Sequence, residues 1–191
     1  MTVQPKHKFT PEEYLAMERE SETKSEYFNG EIFDMGGASE RHNLITLNIA
    51  GELRQQMKGR PCKVYSNDMR VRISPTGLYT YPDVIAICEN AHFDNEHMDT
   101  LLNPAVIFEV LSKTTEAYDR GDKFSHYRKI DSLGEYLLVS QNKCLVEHYI
   151  RQPGNNWLLS ETEGLENTVD LPSVECMLSL SEVYDKVEIL L

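Results

Sequence analysis

Apolar positions recur with two different spacings along this chain, and the change of spacing marks out its elements. Thr10-Pro11-Glu12-Glu13 opens a short helix that runs to about Glu20. Thr10 suits the cap, Pro11 the first helical position, and the two acids the positive end of the helix dipole. From Ser25 to Met35 two apolar-rich runs flank Asn29-Gly30, the residue pair that best closes a tight hairpin. Gly36-Gly37-Ala38-Ser39 reads as a loop, with Ser39 capping a second helix. That helix carries His42, Ile45, Ile49, Leu53 and Met57 at helical spacing and ends at Gly59-Arg60-Pro61.

Strand-like patterns follow. Cys62 to Ile73 is broken near Asn67-Asp68, and Ser74-Pro75-Thr76-Gly77 is a turn. Two short apolar runs, Val84 to Cys88 and Ala105 to Leu111, have the look of strands buried on both faces. The polar stretch Glu89 to Asn103 between them reads as a loop. Thr114 or Thr115 then starts a helix expected to reach Ile130. Glu135–Val139, Cys144–Ile150 and Trp157–Leu159 read as strands, and Leu178–Val187 as a closing helix. The order predicts a mixed α/β or α+β single domain.

Composition narrows the function classes. The chain has 191 residues, enough for one domain spanning 1–191, with the first eight residues expected to be disordered. Against 19 Lys and Arg stand 31 Asp and Glu, a net charge of −12, which argues against a broad basic surface but leaves room for a local one. The first residues lack the apolar core of a signal peptide, and no apolar run approaches the ~18 residues of a membrane span. Cys62, Cys88, Cys144 and Cys176 are scattered without metal spacing, so they read as reduced thiols of a cytoplasmic protein.

Glu109 is the charge that does not belong. It interrupts an apolar strand and by parity shares a face with Ala105, Ile107 and Leu111. A carboxylate buried there costs several kcal/mol unless paired, protonated or metal-bound. Asp83 stands at the head of the other buried strand, behind Pro82. If the two strands are neighbours, the carboxylates converge and call for a cation. Oxygen ligands without a Cys or His cluster favour Mg²⁺ or Mn²⁺ over zinc. Such an ion acidifies water and neutralises phosphoryl charge. A lysine nearby would stabilise growing negative charge. Lys123 is the better candidate, with Asp119 and Tyr127 one turn away on the same helix face, whereas Lys113 faces solvent in a loop. Arg120, Arg128 and Lys129 read as a solvated helix face.

These residues carry a resemblance. Tyr81-Pro82-Asp83-Val84, Glu109-Val110-Leu111-Ser112, the run Tyr118 to Phe124 and Tyr127 resemble the Uma-two family of restriction endonuclease-like proteins, grouped with the PD-(D/E)XK nucleases. The likeness extends through Glu26 to Ile32, Met35 to Ser39, His42-Asn43 and Ser132 to Tyr136, and so covers most of the chain. It implies a restriction-endonuclease-like mixed central sheet flanked by helices, with an N-terminal helix and hairpin. It implies that Asp83 and Glu109 are metal ligands, with the carbonyl of Val110 a further contact. The motif's lysine position holds Leu111, so the resemblance transfers that role to Lys123 on the next helix. Glu26, His42 and Tyr127 stand as accessory site residues.

The function implied is a Mg²⁺- or Mn²⁺-dependent endonuclease-like phosphodiesterase acting on DNA, with a homodimer suited to cutting two strands. The alternative is a nuclease-fold interaction module in which Lys123 and Glu109 form a structural ion pair and cleavage is lost. RNA or a small phosphoester ranks third, because no aromatic-rich basic stripe is visible.

Overall fold

Asn29 and Gly30 turn with φ of 50° and 87°, and that pair of left-handed residues closes the first hairpin where the sequence placed it. The computed structural model describes residues 7–189. Residues 1–6 of the stretch expected to be disordered lie outside the described residues; Lys8 packs its side chain over Gly30, and Phe9 N–H donates to the Gly30 carbonyl at 3.0 Å. The chain runs through α1 (Pro11–Glu20), β1 (Ser25–Phe28), β2 (Glu31–Asp34), α2 (Glu40–Gln56), β3 (Lys63–Ser66), β4 (Arg70–Ile73) and β5 (Leu78–Thr80). Next come β6 (Val84–Ile87), β7 (Thr100–Leu101) and β8 (Val106–Leu111). A helical segment follows as α3 (Glu116–Tyr118), a π turn (Asp119–Lys123) and α4 (Phe124–Tyr127). The rest is β9 (Glu135–Ser140), β10 (Leu145–Gln152), β11 (Asn156–Glu163), β12 (Thr168–Leu171), β13 (Cys176–Ser179) and α5 (Leu180–Val183).

The larger sheet has the order β11-β10-β9-β8-β6-β3, with β8 and β9 parallel and the other pairs antiparallel. A smaller sheet has the order β2-β1-β5-β4-β7. Strand parity divides the core in two. Val106, Phe108 and Val110 of β8 pack with Ile45, Ile49 and Leu53 of α2 on one face. Ile107 and Leu111 point the other way, into a cluster holding Phe124, Tyr127 and Tyr136. Glu109 shares that second face. At the amino end, Thr10 Oγ1 accepts from Glu13 N–H at 3.2 Å while Glu13 Oε2 accepts from Thr10 N–H at 2.8 Å, the reciprocal cap that fixes the start of α1.

Four expectations need correction. The helix expected from Thr114 or Thr115 to Ile130 is broken by the π turn and ends at Tyr127. The closing helix expected over Leu178–Val187 is the strand β13 followed by only four helical residues, because β13 pairs with β12, which the sequence pattern had not revealed. The stretch Glu89 to Asn103, expected to be a loop, contains the short strand β7, which pairs parallel with β4. The cysteines are not all reduced: Cys62 and Cys88 form a disulfide, whereas Cys144 and Cys176 are free. The antiparallel register pairs Lys63 with Ile87, so one step further out the two cysteines stand opposite each other. Among the described residues, no helix is long and apolar enough to cross a membrane.

Candidate active site

β8 presents Glu109 on the face away from α2, and β6 lies antiparallel beside it. Val84 stands opposite Phe108 in that register, so Asp83 at the head of β6 comes opposite Glu109. The backbone at Asp83 is pinned by Asn67, whose N–H donates to the Asp83 carbonyl at 3.1 Å. Its carboxylate is held from two sides. Val110 N–H donates to Oδ2 at 2.7 Å, and His42 Nε2 from the first turn of α2 is 3.0 Å from Oδ1. The expected neighbouring of the two buried strands is therefore found, and His42 reaches the site from the start of α2. Val110 meets the site through its N–H; its side chain joins the core against α2.

The lysine comes from the interrupted helix. The π turn places Asp119 and Lys123 both inward, and such local widening is frequent at functional sites. Lys123 Nζ lies 2.9 Å from Glu109 Oε1, 3.3 Å from Glu26 Oε1 and 3.6 Å from Asp119 Oδ1. Tyr127 donates its hydroxyl to the same Glu109 Oε1 at 2.7 Å. Glu26 joins the cluster from the first hairpin. Pairing of β1 with β5 turns it inward, where Thr80 donates to Oε1 and the Tyr118 hydroxyl lies 3.4 Å from Oε2. The Lys123 ammonium also stands 5.9 Å from the centre of the Tyr118 ring. Tyr118 and Thr80 were not found from sequence. Tyr118 opens the Tyr118–Phe124 run that carries the family resemblance, whereas nothing in the Thr80 neighbourhood signals its role. Lys113 lines the same cleft, exposed and away from the ion-pair cluster.

Burial and charge act against each other here. Loss of water pushes the Glu109 carboxyl well above the usual carboxylate range, the charges of Asp119 and Asp83 push the same way, and Lys123 only partly offsets them. Asp119 is raised by burial as well. Burial alone would lower Lys123, but Glu109, Glu26 and Asp119 outweigh it and hold the ammonium well above its ordinary value. One charged lysine thus serves several carboxylates that repel one another.

A cleft of about 980 Å³ opens over Glu26, His42, Asp83, Glu109 and Lys123. Among the described residues, no group of three or more His, Cys, Asp or Glu side chains forms a ready-made metal cage. The donor chemistry fits a hard divalent cation nonetheless. Mg²⁺ is ordinarily held by one or two carboxylates and completes its shell with water and phosphate oxygens. Asp83 and Glu109 supply those two carboxylates beside an open cleft, and Glu109 Oε2 makes no hydrogen bond among the described residues.

The mixed central sheet flanked by helices is a restriction-endonuclease-like fold. A crystal structure described as "a putative nuclease belonging to DUF820" from Anabaena variabilis superposes with a TM-score of 0.77 at 19% identity, over 94% of this chain and 99% of that one. The chain belongs to the Uma2 family, whose description is "putative restriction endonuclease" and whose model matches residues 11–182. Two proteins of Synechocystis sp. are similar along most of their length. Uncharacterized protein sll1609 is 39% identical over 81% of this chain and 88% of its own, and uncharacterized protein slr1290 is 33% identical over 94% and 93%. Family and fold together support a nuclease-like function.

Proposed function

We propose that this protein is a Mg²⁺- or Mn²⁺-dependent phosphodiesterase that cuts DNA, with Asp83 and Glu109 holding the ion and Lys123 supplying fixed positive charge. The observation that carries this reading is the meeting of Asp83 and Glu109 across two neighbouring strands, with Lys123 Nζ 2.9 Å from Glu109 beside an open cleft. When bound, the ion would supply Lewis acidity: it acidifies water and neutralises charge on the phosphoryl group.

The chain's own residues do the rest. Val110 N–H and His42 fix the Asp83 carboxylate, so it does not have to be ordered when substrate arrives. The Tyr127 hydroxyl orients Glu109. Lys123 stays protonated, so it acts as a charge donor toward a phosphorane-like transition state and not as the general base. A bound cation would favour the ionised form of Glu109 that burial disfavours.

A second reading has its own support. Lys123 already pairs with Glu109, as an inactive interaction module would have it. Nicking of supercoiled plasmid DNA separates the two. The phosphodiesterase reading expects cleavage in Mg²⁺ or Mn²⁺, none in EDTA, and loss of at least ~100-fold in Asp83→Ala and Glu109→Gln. Absence of metal-dependent cleavage by the wild-type chain, or equal cleavage by the variants, would overturn it.

A further inference from the structure

We propose that Arg41 and Lys113 are phosphate-contacting residues that extend the site from a single phosphodiester to a DNA strand lying along the cleft. The assignment starts from the phosphodiesterase reading above, but its test reads binding alone.

Four Lys and Arg residues line the cleft: Lys24, Arg41, Lys113 and Lys123. Two are already committed. Lys123 is buried among its carboxylates, and Lys24 Nζ is 3.0 Å from both Asp68 Oδ1 and the Asn67 carbonyl. Arg41 and Lys113 have neither an ion pair nor a side-chain hydrogen bond among the described residues, and both reach solvent. Both line the cleft from segments that also carry site residues. Arg41 adjoins His42, whose ring touches Asp83. Lys113 follows the end of β8, the strand that carries Glu109.

The rest of the cleft is hostile to a polyanion, with Glu22, Asp34, Glu40 and Asp68 on its walls and a chain charge of −12. Two unpaired cations in such a wall are therefore the places where phosphates can dock. A small phosphate ester bound at Asp83 and Glu109 has no use for both. A strand has, because each neighbouring phosphate needs a counter-charge, and contacts of this kind set register without reading sequence.

The test is fluorescence anisotropy with a fluorescein-labelled DNA oligonucleotide and the full chain, in Ca²⁺ and over a range of salt. Arg41→Ala and Lys113→Ala should each weaken binding severalfold and flatten the slope of log affinity against log salt by about 1. Arg54→Ala and Lys58→Ala, exposed on or just beyond the far end of α2, should change neither. Neither cleft residue has a partner to lose, so circular dichroism should report a wild-type fold. Wild-type affinity and slope in both cleft variants would overturn the proposal, as would equal losses in the far-end variants or no binding by the wild-type chain. The two readings fail separately. DNA bound through Arg41 and Lys113 but never cut contradicts the phosphodiesterase, whereas cutting with unaltered binding in the variants contradicts only the docking role.

Discussion

Lys123 Nζ stands 2.9 Å from Glu109 Oε1, and neither side chain is more than 6% exposed. This single ammonium also serves Glu26 and Asp119, so the carboxylates depend on one another through it. That dependence makes the cluster a stability element as well as a candidate catalytic one.

Lys123→Met should leave those carboxylates without their shared cation and lower stability near neutral pH by about 3 kcal/mol, measured by urea denaturation. The loss should shrink as pH falls. The stranded carboxyls have folded pKa values above their unfolded ones, so the folded state binds more protons and is favoured by acid. A variant whose deficit is the same at pH 5 and pH 8 would contradict the shared-cation account.

Tyr127→Phe keeps the packing but removes the hydroxyl that donates to Glu109 Oε1 at 2.7 Å. About 1.5–3 kcal/mol of stability should go, as for a hydrogen bond to a charged group, and less if Glu109 is protonated. DNA cleavage should fall about 10-fold through misorientation of Glu109, which initial-rate measurements would read.

Acid stability has an identifiable source away from the cleft. Burial pushes the Asp99 carboxyl up, but hydrogen bonds from Arg19 and Thr100 and the charge of Arg70 outweigh it and bring it from 3.8 to about 2. Asp99 thereby ties α1 to β4. A depressed folded pKa contributes stability that is present above about pH 4 and lost as pH falls through about 2. Asp99→Asn should therefore unfold about 1 kcal/mol more easily at neutral pH, the partly exposed pairs being screened by solvent, and thermal melts should converge with wild type as the pH approaches 2.

The Cys62–Cys88 bridge closes a loop of 26 residues between β3 and β6. Reduction should cost about 3 kcal/mol by freeing the unfolded chain. Dithiothreitol should lower the melting temperature of wild type and leave a Cys62→Ser, Cys88→Ser double variant unmoved.

What could be read from the sequence was whatever broke a local pattern. Glu109 stood out as a charge in an apolar strand, Asp83 as an acid behind proline, Lys123 through its helical spacing from Asp119 and Tyr127, and the hairpin through Asn29-Gly30. What escaped depends on contacts distant in sequence. Glu26 was named only through the resemblance, because its inward turn needs β5 beside β1, a pairing set by only one register match, Tyr27 with Tyr79. The cysteine bridge needs the β3–β6 register, and β13 needs β12. The π turn also left no trace, since Asp119 to Lys123 carries no residue type that marks the wider step.

The most direct measurement is the thermal shift caused by Mn²⁺ in wild type, Asp83→Ala and Glu109→Gln. A ligand that binds only the folded chain stabilises it by ~2.7 kcal/mol at a hundredfold excess over its Kd. The account predicts a rise in wild-type melting temperature that disappears in both variants. A wild-type chain indifferent to Mn²⁺, or variants that shift as much as wild type, would contradict it.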